Sequence, residues 1–228
     1  KDRAFVKNLV TTTLRRLGQI DNLILNCMHR PPKKNMKGCE NLLRMGVCQL
    51  LFFRTPDHAS ISTTLNLAEV VGLGGYKGFI NAILRRLQRN GALLIQEQDV
   101  PKINTPIWLW NSWEKAYGEA ITRKIATAHI SEPYLDVSFK NKPGAWVGKL
   151  NGILLPWGTV RCANAGGVAD LPGYNKGLWW VQDAAARLAV KLMGNVREKK
   201  VIDLCAAPGG KALYLAAEGA ELTAVDRS

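Results

Sequence analysis

The 228-residue sequence contains no Cys-x-x-Cys pair, and its five cysteines (Cys27, Cys39, Cys48, Cys162 and Cys205) are odd in number. That argues against a disulfide framework. With only three scattered histidines (His29, His58 and His129), no zinc site of the usual ligand spacing is visible either. Free thiols point instead to a reducing, cytoplasmic setting. No apolar run approaches the roughly 20 residues of a membrane-spanning helix, so no membrane partner is expected. A basic-then-apolar leader is missing from the start. Internal repeats and low-complexity tracts are missing as well. The first residue is Lys1 rather than Met, and the final Asp226-Arg227-Ser228 carries no helix-ending or tail signal. The sequence therefore reads as a piece cut at both ends.

What is present is an ordinary globular composition, 47% hydrophobic with mean hydropathy −0.07. The length suits one or two domains. Charge is lopsided: 31 Lys and Arg against 18 Asp and Glu give a net of +13. The excess lies in the body of the chain. Residues 1–99 hold 15 basic and 7 acidic groups, residues 100–200 hold 14 and 7, and residues 201–228 hold 2 and 4. A basic body of this size attracts polyanions, nucleic acid above all. An anionic membrane surface fits less well, because no Lys/Arg-lined amphipathic helix carries Trp or Phe opposite.

Residues 1–130 read as about six helices. Phe5, Val6, Leu9, Val10, Leu14 and Leu17 recur at helical spacing before Gly18, a natural stop. Asp21 is expected to cap a second helix that Pro31-Pro32 must end. A third carries Leu42, Leu43, Val47, Leu50 and Leu51 up to Thr55-Pro56-Asp57, and a fourth spans about 59–71. The fifth, near 77–89, points Phe79, Ile80, Ile83, Leu84 and Leu87 inward and Lys77, Arg85, Arg86 and Arg89 outward. Thr105-Pro106 opens a last one past Trp113 and Tyr117 toward Ile130. The result is an all-α bundle with its own core. After Glu132-Pro133, residues 134–139 and 159–162 look like strands of a small connecting region, 131–177. From residue 178, Trp179-Trp180-Val181 is a strand end and 183–193 a helix with Ala185, Leu188, Ala189 and Leu192 inward. Val201-Ile202-Asp203-Leu204 then has the look of a buried parallel strand. A glycine loop, a helix and a strand at 222–225 complete the opening of a doubly wound α/β domain.

The informative stretch is Asp203-Leu204-Cys205-Ala206-Ala207-Pro208-Gly209-Gly210-Lys211. It lies where open α/β sheets bind ligands, at the carboxyl end of the first strand. Its small residues leave the backbone open, and the Gly209 and Gly210 amides start a helix. Asp226, seventeen positions after Gly209 at the end of the next strand, suits a ribose diol. Lys211-Ala212-Leu213 breaks both the dinucleotide fingerprint G-x-G-x-x-G and the P-loop pattern G-x-x-x-x-G-K-[ST]. A ribose acid without a pyrophosphate signature fits S-adenosylmethionine. The alternatives are a tight turn with no ligand and a dinucleotide-dependent oxidoreductase.

Residues 203–211 resemble motif I of the RNA 5-methylcytosine methyltransferases, the Sun/Fmu/RsmB and NOP family. Residues 1–130 are similar to the NusB-like RNA-binding domain of its bacterial members that act on 16S ribosomal RNA. Arg3-Ala4-Phe5, Leu14-Arg15-Arg16-Leu17 and 77–86 (Lys77-Gly78-Phe79-Ile80-Asn81-Ala82-Ile83-Leu84-Arg85-Arg86) carry that similarity. Asp170-Leu171-Pro172-Gly173 and Trp180-Val181-Gln182-Asp183 resemble the approach to the catalytic domain. The resemblance implies a multidomain fold: a NusB-like bundle (1–130), a small α+β connection (131–177), and the start of a Rossmann-like methyltransferase domain (178–228). It implies that Cys205, Ala206, Ala207, Pro208, Gly209, Gly210 and Lys211 line the S-adenosylmethionine site and that Asp226 holds the ribose. The activity implied is methyl transfer to carbon 5 of an unstacked cytosine in small-subunit rRNA, after a cysteine thiolate adds to carbon 6. That cysteine is expected beyond Ser228. Cys205 is then a small residue buried beneath the cofactor loop, not the nucleophile. Ala212 departs from the family, which often has Thr there. Lys77, Arg85, Arg86 and Arg89 are the candidate RNA contacts, while Trp179 and Trp180 are read as core. A non-catalytic RNA-binding or antitermination-like module is the alternative that residues 1–130 alone would support.

Overall fold

Two units make up the chain, Lys1–Glu132 and Pro133–Ser228. The structure, a computed structural model, describes residues 2–28, 37–53, 55–163 and 167–227. The described part of the first unit is helical: α1 (Asp2–Arg15), α2 (Leu17–Asn26), α3 (Lys37–Phe52), α4 (Asp57–Val70), α5 (Lys77–Gln96), α6 (Val100–Ile103), α7 (Ile107–Tyr117) and α8 (Glu119–Ile130). Ile20 and Leu23 of α2, Leu43 and Val47 of α3, and Ile80, Leu84 and Leu87 of α5 meet in one apolar core and are fully buried. On α5 the amphipathic pattern holds, with Ile80, Ile83, Leu84 and Leu87 inward and Arg85, Arg86 and Arg89 exposed.

Several helix ends differ from the sequence expectation. The first break falls at Arg16, and Gly18 lies inside α2. A Cβ at Gly18 would collide with the carbonyl oxygen of Ile103, so this glycine permits close approach of the α6 backbone. Asp21 is not a cap. It sits within α2 and accepts both Arg44 Nε and Nη2 of α3, at 2.7 and 2.8 Å. The expected stop at Pro31-Pro32 lies outside the described residues, as does His29; α2 has already ended at Asn26. The helix expected to run from Pro106 to Ile130 breaks at Gly118, whose φ is +77°, giving α7 and α8. On α1 only Leu9 and Thr13 are buried, and Phe5, Val6, Val10 and Leu14 are exposed.

The second unit opens with an antiparallel sheet of β1 (Leu135–Phe139), β2 (Gly152–Leu154), β3 (Val160–Cys162) and β4 (Trp179–Val181), in the order β2-β3-β1-β4. Val137, Phe139, Leu150, Val160, Cys162 and Trp179 form its core. β4 pairs with β1 through Val137 and Val181, so this sheet extends past residue 177. Trp179 is a packing residue, its Nε1 donating to the Pro172 carbonyl at 2.7 Å.

Next comes α9 (Ala184–Lys191), capped by Asp183 Oδ1, which accepts the Ala185 and Ala186 amides at 2.8 and 3.3 Å. Its buried face carries Arg187 and Val190, whereas Ala185, Ala189 and Leu192, expected inward, are exposed. Asp136 of β1 ties the sheet to α9. Its buried carboxylate accepts Arg161 Nε and Nη2, both at 2.8 Å, and the Ala184 amide at 3.2 Å. Burial alone would raise the Asp136 pKa, but the Arg161 and Ala184 hydrogen bonds and the Arg161 charge outweigh it and hold it below the usual value. Finally β5 (Lys200–Asp203) and β6 (Glu221–Ala224) pair in parallel around α10 (Gly210–Ala217), a β–α–β unit. Val190 of α9 and Val196 join Tyr214 and Leu215 of α10 in a small core.

Candidate functional site

Parallel pairing brings the ends of β5 and β6 together, and the loop 204–209 rises from that edge. Val225 N donates to Asp203 O at 2.8 Å and Ala206 N to Val225 O at 3.1 Å, so the ladder continues into the loop. Asp226 follows directly. Its Oδ2 accepts the Ala207 amide at 2.8 Å and its Oδ1 the Arg227 amide at 2.7 Å. The loop and the acid singled out in the sequence therefore meet in space. The Ala207-Pro208 peptide is cis. Gly209 takes φ +103°, a backbone state that side chains rarely adopt, and turns the chain into α10. Its amide donates to Ala206 O at 2.6 Å.

Of the eight expected cofactor residues, Cys205, Ala207, Pro208, Lys211 and Asp226 are exposed, Gly209 and Gly210 half-buried, and Ala206 buried. Cys205 corrects the expectation, for Ala206 is the buried small residue of the loop and Cys205 is exposed. The remaining cysteines, Cys27, Cys39, Cys48 and Cys162, are buried, and burial pushes each thiol pKa up. A raised pKa keeps them protonated and unreactive.

Two polar side chains at this edge escaped the sequence reading of the site. Asp203 is buried at the base of the loop. Its Oδ1 accepts the Cys205 amide at 3.4 Å, while its Oδ2 is buried without a partner. Gln182 is buried against the start of α10, its Cγ 3.6 Å from where a Cβ at Gly210 would stand. Its Oε1 accepts Trp180 Nε1 at 3.1 Å, and its Nε2 is buried without a partner. The signal was present, because both residues belong to motifs quoted for the resemblance.

In the helical unit, Arg85, Arg86 and Arg89 are exposed, and among the described residues no carboxylate lies within ion-pair distance of them. Arg85 Nη1 donates to Gln88 Oε1 at 3.0 Å. Lys77 differs, since its Nζ sits 2.6 Å from Glu69 Oε2. The proposed basic cluster is thus three unpaired arginines and one neutralised lysine. Among the described residues no group of three His, Cys, Asp or Glu side chains could hold a metal ion. No helix there is long and apolar enough to cross a membrane.

The described residues thus present a helical unit with an exposed arginine face and a β–α–β unit with a small-residue loop at its strand ends. Residues 1–89 match the NusB family. The chain is 32% identical over 99% of its length to the ribosomal RNA small subunit methyltransferase B of Cronobacter sakazakii, covering 56% of that protein. It is 28% identical over 94% of its length to the probable ribosomal RNA small subunit methyltransferase B of Synechocystis, covering 52%. The family resemblance carried by the motifs is borne out: the chain is a relative of the small-subunit rRNA methyltransferase B proteins. It spans about half the length of the curated relatives it matches. In fold it is similar to the crystal structure of PH0851, with TM-score 0.72 and 16% identity over 99% of this chain and 55% of that one.

Proposed function

We propose that the protein to which this chain belongs methylates carbon 5 of a cytosine in small-subunit ribosomal RNA, in the cytoplasm, with S-adenosylmethionine as donor. The observation that carries this reading is the hydrogen bond between Asp226 and the Ala207 amide, which sets a carboxylate against a loop of small residues. On this reading 178–228 opens a Rossmann-like domain. The residues fit an adenosyl group without phosphates. Asp226 accepts from ribose hydroxyls, and Ala207, Gly209 and Gly210 leave backbone open beside it. Buried Asp203 and Gln182 hold the loop base and the first turn of α10 in place, each with one polar atom to spare for a ligand or water. When bound, S-adenosylmethionine supplies an electrophilic methyl group. Catalytic side chains are not assigned within 1–228, and no metal takes part in the scheme.

The helical unit has a separate task on this reading. It holds 19 basic and 10 acidic residues, a net of +9 over 1–132. Phosphate contacts from Arg85, Arg86 and Arg89 would fix the RNA in register while another pocket reads the base. Isothermal titration of S-adenosylmethionine into the full chain tests the cofactor half. Saturable binding is expected, lost in Asp226→Ala. If the unsubstituted chain takes up no cofactor while still binding RNA, the non-catalytic NusB-like module is the correct reading instead.

A further inference from the structure

A half-open cavity of about 330 Å3 lies between α9 and α10, and Arg187, Val190, Lys191, Tyr214 and Glu218 are among its lining residues. None of these belongs to the loop 203–211 or to Asp226. Arg187 is only 7% exposed. Its Nη1 donates to the Gly158 carbonyl at 2.6 Å and its guanidinium lies 4.7 Å over the Tyr214 ring, yet its Nε is buried without a partner. Among the described residues no carboxylate pairs with it, and Glu218 is outside ion-pair distance of both Arg187 and Lys191. A carbonyl and an aromatic face attract a guanidinium but do not neutralise it, so burying it uncompensated is costly. Lys191 stands one helical turn further along α9 and is exposed at the rim. Between 187 and 200 the chain has five basic residues, Arg187, Lys191, Arg197, Lys199 and Lys200, against one acidic, Glu198.

We propose that this cavity binds a phosphate oxyanion, which the guanidinium of Arg187 and the ammonium of Lys191 hold jointly. Arg187 supplies the fixed, desolvated charge and the spare N–H, and Lys191 the mobile charge at the entrance. The phosphate is either a free anion or one in an RNA backbone; the chemistry at Arg187 is the same. The site does not depend on the methyltransferase reading, since it needs only the α9–α10 pair.

The test titrates inorganic phosphate into the full chain by calorimetry, then repeats it with a short single-stranded oligoribonucleotide lacking terminal phosphates as competitor. Saturable phosphate binding is expected, with at least about a tenfold loss of affinity in Lys191→Glu, an exposed position that leaves the fold intact. Arg187→Met should lose binding altogether; if circular dichroism shows that it misfolds, Lys191→Glu decides alone. Displacement by the oligoribonucleotide assigns the site to RNA backbone, and phosphate binding without displacement assigns it to a free anion. Absence of saturable binding, or equal affinity in Lys191→Glu and the unsubstituted chain, overturns the proposal.

Discussion

The helical unit and the β5–α10–β6 segment treat their apolar residues differently. In the first, seventeen residues from Leu9 to Leu87 share one buried cluster, drawn from α1 to α5. The cluster that touches the second has four members, of which only Tyr214 and Leu215 belong to it, Val190 and Val196 lying before β5. Ile202 in β5 is 63% exposed and Leu204 just after it 72%. Parallel strands ordinarily bury both faces. Here α9 and α10 are associated with a small core, while Ile202 stands in water. Within residues 1–228 the buried apolar clusters are therefore concentrated in the helices and the antiparallel sheet, whereas the candidate cofactor loop sits on a lightly buried pair of strands. Loop geometry in that region depends on backbone bonds and on Asp226 more than on packing.

The sharpest way to break this contrast is to remove matching apolar bulk from each side. Leu84→Ala, at a fully buried position, should cost about 3 kcal/mol and lower the thermal midpoint of the helical unit by about 10 °C. Ile202→Ala should cost less than about 0.5 kcal/mol. Equal losses in calorimetry would mean that β5 is packed as tightly as α5.

A smaller effect is expected at Asp136, where a polar bond rather than bulk joins sheet and helix. Asp136→Asn removes the charge from a carboxylate that Arg161 grips twice, and should destabilise the second unit by about 2 kcal/mol at neutral pH. The fold holds this carboxyl below its ordinary pKa. Its contribution is therefore complete above the ordinary carboxylate range and is lost as pH falls from about 4 toward the lowered value. In acid melts followed by calorimetry, the Asn variant should lack this component. An identical acid profile would show that the pair is not coupled to folding.

The same contrast governs what the sequence discloses. The α5 register was legible because one helix carries a full apolar stripe and an arginine stripe opposite. Gly18 and Asp21 were misread as helix ends, because what fixes them is Ile103 and Arg44, far along the chain. The inward face of α9 was misassigned for a related reason. Ala185, Ala189 and Leu192 make a plausible stripe, but the buried positions are Arg187 and Val190, and nothing local announces a buried arginine. At the loop, residue types and the Asp226 spacing were readable, since strand–turn–helix units place them by rule. The Asp226–Ala207 hydrogen bond and the exposure of Cys205 were not, because both depend on how the two strands register.

The smallest expected effect separates charges within the helical unit itself. Arg85, Arg86 and Arg89 have no ion-pair partner among the described residues, whereas Lys77 already faces Glu69 at 2.6 Å. Replacing the three arginines with Ala should lower the slope of log affinity against log salt for single-stranded RNA by about 2, at roughly 0.7 per phosphate contact. Lys77→Ala should leave the slope almost unchanged, and its stability cost should stay below about 1 kcal/mol, as for other exposed pairs. The distinction is physical rather than positional: all four side chains start from one helix, but only an uncompensated cation releases counterions on binding. An unchanged slope in the triple variant would remove α5 from the RNA interface, and an equal loss in Lys77→Ala would mean that Glu69 yields its lysine to RNA.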